Sequence, residues 1–344
     1  MKRTLIFLLA GFILLCGTYV SLELLISLPI DKNIEIEIPK GATFRQAVEI
    51  LSKEKLVRDR GLFIFVSKIS GLDRRIRAGH YSIEKLMTPF DLFRMLRNGR
   101  IIEYEVKIRE GDSLQEIGEK LSERNIINTE DFESLSSDKE FLDLYNIDAP
   151  TLEGYLFPDT YKIPKGMDPT EAIGLMIDRM REKYSGQLRI RTSELGLSER
   201  EVLTLASIIE KEAKTEGERY LISAVYHNRL RKGMPLQADP TSIYGIKSSR
   251  EKITARDLQQ KTPYNTYIIK GLPPGPIASP SIKSIIAALY PARVPYIYFV
   301  SNNDGTHRFS VTPGEHLSAV RSYREKKQME NKEKINEARR DGNS

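Results

Sequence analysis

The chain has 344 residues, with 53 basic against 47 acidic side chains, a net charge of +6, one cysteine and no tryptophan. That length holds two or three domains with sizeable cores. The lone Cys16 excludes an intramolecular disulfide. Part of the mild basic excess sits at Lys2-Arg3 and in the tail from Arg321, and no basic stripe, RNP motif or zinc spacing goes with it. Nucleic-acid binding is therefore not expected.

An almost unbroken apolar run extends from Leu5 to Leu22, is interrupted by Glu23, and resumes from Leu24 to Ile30. About 18–20 apolar residues span a bilayer's hydrocarbon core, so residues 1–30 are expected to form a cytoplasmic tip and a transmembrane anchor. Basic residues before the run orient the N-terminus toward the cytoplasm and the bulk of the chain to the outer side of the inner membrane. A cleaved signal peptide is the rival reading, but the run is longer than an ordinary signal core and lacks a small-x-small cleavage site. Leu15 is too bulky for a lipoprotein site at Cys16, which reads as a packing or lipid-facing residue.

Residues 31–149 contain an internal repeat. Ile36 to Val57 aligns without gaps on Val106 to Ile127, matching Ile38 with Ile108, Gly41 with Gly111, Thr43 with Ser113 and Leu51 with Leu121. Each copy reads as a short strand, a Gly turn, a Thr or Ser N-cap and an amphipathic helix. The first copy continues into a second helix, Arg60 to Ser70, and a strand, Ala78 to Lys85. The order strand–helix–helix–strand resembles the LysM module, which binds the N-acetylglucosamine-containing glycan of cell walls; a plain α/β spacer is the bland alternative. Thr88-Pro89 opens another helix, and Asn98-Gly99 closes it.

The texture changes near Pro150 to aromatic, Pro- and Gly-rich segments between helices, and residues 150–323 are expected to form a third domain. The charged tail, 324–344, follows it as an exposed, frayed or disordered helix. Tyr, Asp, Asn and Gln cluster beside Pro or Gly in Leu152–Gly166, Leu236–Gly245 and Thr262–Pro280. Tyrosines stacking on sugar faces, with amides and carboxylates bonding hydroxyl and acetamido groups, suit a carbohydrate groove. Between these segments, Ser198 and Glu201 form a capping box that opens a helix with a wide apolar arc. Glu210 and Glu212 flank that arc on opposite sides, with Lys211 pointing away. The wheel does not choose between the two glutamates, although small Ala206 leaves room beside Glu210. A carboxyl so placed is expected to hold its proton near neutral pH, as a general acid must; a salt bridge to Arg219 or Arg229 is the alternative.

The blocks LEGYLFPDTY, ASIIEKE, NRLRKGMPLQADPTSIYG and PYNTYIIKGLPPGPIASP, with GTHRFSVTPGEHLSAV near the end, are similar to the signature blocks of the endolytic murein transglycosylase (YceG-like) family. The resemblance implies an α+β chain: a transmembrane helix, LysM-like modules, and a mixed α/β catalytic domain with a glycan groove. It implies cleavage of the β-1,4 bond between N-acetylmuramic acid and N-acetylglucosamine within strands, without water, leaving a 1,6-anhydro end. It also implies Glu210, the first glutamate of E-K-E, as the catalytic residue. Glu153, Tyr155, Asp159, Tyr161, Gln237, Asp239, Thr241, Tyr244, Tyr264 and Asn265 are implied to bind substrate. The implied partners are peptidoglycan strands, the inner membrane and the wall synthases, with a role in ending glycan elongation.

No metal or cofactor is expected. His80, His227, His307 and His316 show no metal-ligand spacing, Ser207 lacks a nucleophile elbow, and the Gly271–Gly275 turn is no phosphate loop. A two-carboxylate muramidase, with Asp239, Asp159 or Glu153 as the second acid, is the enzymatic alternative. A non-catalytic wall-binding scaffold is the other.

Overall fold

The structure is a computed structural model that describes residues 2–341 except 29, 31, 72–75, 248–250 and 252, with side chains described from residue 3 to residue 329. The first residue of the expected anchor and the last three of the charged tail lie outside the described residues. The chain forms two compact units. One comprises residues 1–105 with 162–168, and the other 106–161 with 169–344.

In the first unit, α1 (Lys2–Leu25) carries the apolar run. Among the described residues it supplies the one stretch, Arg3–Leu25, long and apolar enough to cross a membrane, with a mean hydropathy of 2.3. Then come β1 (Ile34–Ile38), α2 (Phe44–Lys53), α3 (Arg60–Ser70), β2 (Gly79–Ile83) and α4 (Pro89–Asn98). Strands β1 and β2 pair antiparallel, Ile34 opposite Ile83 and Ile38 opposite Gly79. The strand–helix–helix–strand order read from the sequence is therefore present. Its cause is local. The Thr43 and Thr88 hydroxyls cap α2 and α4 in capping boxes with Gln46 and Asp91, and Gly99 closes α4 in the left-handed region. Alternate strand residues Ile36, Ile38, Tyr81 and Ile83 meet Val48, Leu51, Phe63 and Leu96 in one core.

The second unit contains α5 (Leu114–Glu123), α6 (Thr129–Ser136), α7 (Lys139–Leu144), α8 (Pro169–Lys183), α9 (Gln187–Glu194), α10 (Glu199–Glu212), α11 (Glu218–Arg231) and α12 (Ile282–Leu289). Strands β5 (Tyr298–Ser301) and β6 (His307–Ser310) form an antiparallel hairpin, and α13 (Pro313–Asp341) follows. Strands β3 (Glu103–Lys107) and β4 (Thr160–Pro164) pair as a two-stranded sheet. The repeat's second copy repeats the first in detail. Ser113 and Glu116 make its capping box, and Gly111 has φ 79° against 81° at Gly41. It nevertheless folds into the second unit, so the units divide at 105/106 and not near residue 150. The charged tail, expected as an exposed helix or as disordered, is helical as far as Asp341 and continues α13 from Pro313.

Helix α10 is the centre of the second unit, buried from Val202 to Ile209 and packed against α9, α11 and α12. Buried Arg229 holds the surrounding loops: its guanidinium donates to the carbonyls of Ile297 at 2.7 Å and Leu236 at 2.8 Å. His227 is bonded to the Ala288 carbonyl at 2.8 Å, and His307 pairs with Glu218 at 2.8 Å. His80 pairs with Glu35, and His316 stacks on Tyr298. Each histidine thus has a packing or ion-pair role.

Leu51 and Leu121 occupy matching positions of the two copies and are both 0 % exposed. Truncating either to alanine is expected to cost about 2–5 kcal/mol by lost transfer energy and a residual cavity. Denaturant melts of the two variants, each read against the intact chain, check this.

Candidate active site

Helix α10 delivers two glutamates to different surroundings. Ser198 fixes its start: the Ser198 N–H donates to Glu201 Oε2 at 2.8 Å, and the Glu201 N–H donates back to Ser198 Oγ at 3.2 Å. The helix ends at Glu212, where Ala213 turns to extended backbone.

Glu210 is locked into the protein. Arg219 donates to Oε1 at 3.0 Å, the Ser281 N–H donates to Oε2 at 2.9 Å, and the Ser281 hydroxyl donates to the same oxygen. Arg219 is itself steadied by Ser284, whose Oγ accepts from Nε at 3.1 Å. Both side chains are nearly sealed from solvent, 5 % exposed for Glu210 and 10 % for Arg219. Burial alone would raise the Glu210 carboxyl, but the donors from Ser281, Ser284 and Arg219 outweigh it and hold the group below its ordinary range. The expectation that Glu210 keeps its proton near neutral pH is thus reversed. Of the two salt bridges considered for it, the one to Arg219 forms, while Arg229 is spent on backbone carbonyls.

Glu212 has the opposite environment. Burial pushes its carboxyl up to about 8, the negative charge of Asp239 adds to the shift, and the Asp239 N–H pulls the other way. Its place at the C-terminus of α10 opposes ionisation further, because the helix dipole is negative there. It opens onto a cleft of about 990 Å³ lined by Leu114, Gln115 and Glu119 of α5, Phe132 of α6, then Glu153, Lys211, Lys214, Asp239, Ile243, Tyr244 and Ile277. Glu210 does not line this cleft. Lys211, expected to point away, does line it, and its Nζ donates to the Gly111 carbonyl at 3.1 Å.

A second carboxyl faces the same space. Burial raises Glu153 to about 7, against the pull of the Leu114 N–H, the Tyr244 hydroxyl and the Gly154 N–H. The Leu114 N–H reaches its two oxygens at 3.1 and 3.0 Å, and the Tyr244 hydroxyl donates at 2.9 Å. Gly154 makes this turn possible. It has φ 81°, and a Cβ there would lie 2.4 Å from Pro276. The Tyr244 ring leans on Tyr264, centroids 4.5 Å apart. The Tyr267 hydroxyl donates to Asp239 Oδ1 at 2.5 Å, which fixes that carboxylate at the rim.

Of the ten residues expected to bind substrate, Glu153, Asp239 and Tyr244 line the cleft, and Tyr264 supports it through its contact with Tyr244. The others lie elsewhere. Tyr155 faces a separate cavity beside Arg181 and Glu199. Asp159 is paired with Arg179 at 2.8 Å, and the Tyr161 hydroxyl donates to the Phe157 carbonyl at 2.7 Å. Gln237 accepts from Arg229 at 3.2 Å. Thr241 bonds Thr266 at 2.8 Å, and Asn265 donates to the carbonyls of Leu258 and Gln260. These five are polar residues used to hold loops in place. The α5 face was missed, and so were Lys211 and Lys214. The Ser113–Glu116 capping box marks the helix, but nothing local to it indicates that it folds beside α10. Among the described residues no group of three or more His, Cys, Asp or Glu side chains gathers as a metal site needs.

Residues 36–322 match the family model described as the YceG-like family. A Bacillus subtilis protein named endolytic murein transglycosylase is 32% identical over 318 residues, covering 86% of this chain and 87% of the relative. A Streptococcus pneumoniae protein of the same name is 31% identical over 311 residues, and the match spans 80% of this chain but only 56% of that longer protein. A crystal structure of a YceG-like protein from Listeria monocytogenes superposes with a TM-score of 0.58 at 31% identity, covering 84% of this chain and 99% of that one. A match over nearly all of the chain beyond its N-terminal helix, with relatives this similar along their length, means that the chain belongs to the YceG-like family.

Proposed function

We propose that the protein is a membrane-anchored endolytic lytic transglycosylase that cuts the MurNAc-β-1,4-GlcNAc bond within peptidoglycan strands, with Glu212 as its acid and base. The observation that carries this reading is the pairing of a carboxyl raised to about 8 with an aromatic, carboxylate-bearing cleft in a member of this family. A protonated Glu212 donates to the glycosidic oxygen as its bond to C1 of the muramoyl sugar breaks, and the sugar's 2-acetamido group steadies the cationic centre. The ionised Glu212 then takes the proton of the C6 hydroxyl as that oxygen closes on C1, giving the 1,6-anhydro end with no water consumed. Glu210, tied to Arg219 and Ser281, serves this proposal as the group that holds the end of α10 and not as the acid. Glu153, Asp239 and Tyr244 are proposed to bind the sugars.

The paired strands and two helices of the first unit support a LysM-like, glycan-binding role for residues 34–83. The apolar α1 with Lys2-Arg3 before it supports an anchor with its N-terminus in the cytoplasm and the cleft outside. An anchored cleft acts on newly made strands, beside the wall synthases, and so ends their elongation.

Three outcomes test this reading. Glu212→Gln is expected to lower turnover by about 10²–10⁴, the range for losing a general acid, with glycan binding retained. Glu210→Gln instead leaves Arg219 buried and unpaired, which is expected to cost about 3–5 kcal/mol of stability. Mass spectrometry of digested strands separates the chemistries: anhydro ends are lighter by one water than the reducing ends a muramidase leaves, and a scaffold leaves no new ends. Reducing ends alone would reject the proposal.

The pH dependence has a definite sign. Turnover is expected to fall about tenfold per unit as pH rises above the Glu212 value of about 8. Both raised carboxyls bind protons in the native state that the unfolded chain has lost, so stability should decline as pH rises from about 4.5 to 8. Glu212→Gln should lessen that decline and leave the Glu153 share, which ends near pH 7, as thermal melts across the window would show.

A further inference from the structure

The exposed large apolar side chains of the first unit are not scattered. Outside α1 and Ile26 just beyond it, those among the described residues are Phe65, Ile69, Leu86 and Phe90. Phe65 and Ile69, 62% and 73% exposed, stand one turn apart on the outer face of α3, whose inner face buries Phe63 and Ser67 in the core. Leu86 and Phe90 flank the corner that leads into α4, at 70% and 44%.

Both places are tied to the end of α1. The Tyr19 hydroxyl donates to Asp59, the N-cap of α3, at 2.8 Å. Arg58 Nη2 donates to the Ser27 carbonyl at 2.9 Å. On the other side, the Leu28 N–H donates to the Met87 carbonyl at 2.7 Å. Both apolar places are therefore held beside the last turns of α1 and the residues that follow it. Arg58, Arg60 and Lys68 accompany α3, and Lys85 and Arg94 accompany the corner, five basic groups against the three acidic ones Asp59, Glu84 and Asp91. An apolar face with basic side chains around it is the composition of a segment seated among lipid headgroups, and Tyr19 is the residue type that marks that layer.

We propose that α3 and the Leu86–Phe90 corner lie in the interfacial layer of the bilayer that α1 enters, with Phe65, Ile69, Leu86 and Phe90 dipping toward the acyl chains. The occupant is the lipid surface itself, rich in anionic headgroups. The first unit is then held against the membrane by three points and not by a single flexible stalk. This inference rests on α1 being the anchor.

The absence of tryptophan from the chain provides the test. The full-length protein carrying Phe65→Trp, and separately Leu86→Trp, is reconstituted into phosphatidylethanolamine–phosphatidylglycerol vesicles with brominated acyl chains. Ile190→Trp, an exposed position of the second unit, is the water-facing control. At 65 and 86 the emission is expected to be blue-shifted, quenched at least about twofold by the brominated lipid, and shielded from iodide; position 190 should show the reverse. Emission at 65 and 86 that matches position 190 would overturn the inference. Shielding from iodide without lipid quenching would also overturn it, since a protein would then cover the face. Retention of the chain in vesicles after alkaline carbonate washing tests the anchor separately, so loss of α1 from the membrane and misplacement of α3 give different results.

Discussion

The ion pair between Glu210 and Arg219 is the constraint on which the second unit depends. Two charges taken almost wholly out of water repay their desolvation only when further hydrogen bonds support them, and here Ser281 supports the carboxylate and Ser284 the guanidinium. The contact joins the last turn of α10 to the first turns of α11 and α12, three helices brought together at one point. With α10 held there, its terminal residue is presented to the cleft in a fixed direction. The same helix thus carries one carboxyl stabilised as an anion and, two residues on, another kept from ionising.

This division was only half legible in the sequence. The capping box at Ser198, the apolar arc and the two flanking glutamates follow from spacing alone, and all are present. The different surroundings of the two glutamates do not, because they are set by groups elsewhere in the chain: Arg219 and Ser281 for one, Asp239 for the other. A wheel shows which side of a helix a residue occupies, not what waits on that side. Similarly, aromatic and polar residues beside Pro and Gly mark loops that matter, but not which of those side chains face a ligand. Glu153 and Tyr155 are neighbours in one motif, yet they line different cavities on either side of the chain.

The repeat was legible for a different reason. Its cues are local: a left-handed glycine, a hydroxyl cap, and apolar residues one helical turn apart. Both copies fold as those cues require. What the local cues do not contain is the destination of each copy. The first builds its own core with β2 and α4, whereas the second lends α5 to the wall of the cleft. Similar segments have come to serve different ends because their partners differ.

Arg229 has a consequence of its own. Its planar fork bridges a loop at residues 235–237 and the strand entry at residue 297, with the ring of Tyr298 beneath it. A lysine would bring equal charge but a single ammonium, unable to reach both carbonyl groups at once. The loop that bears Asp239 would then be free to drift from its neighbours, although no cleft residue had changed. The placement of Asp239 in this chain is therefore sensitive to a residue outside the cleft lining, and an exchange that keeps the charge there would loosen the cleft from behind.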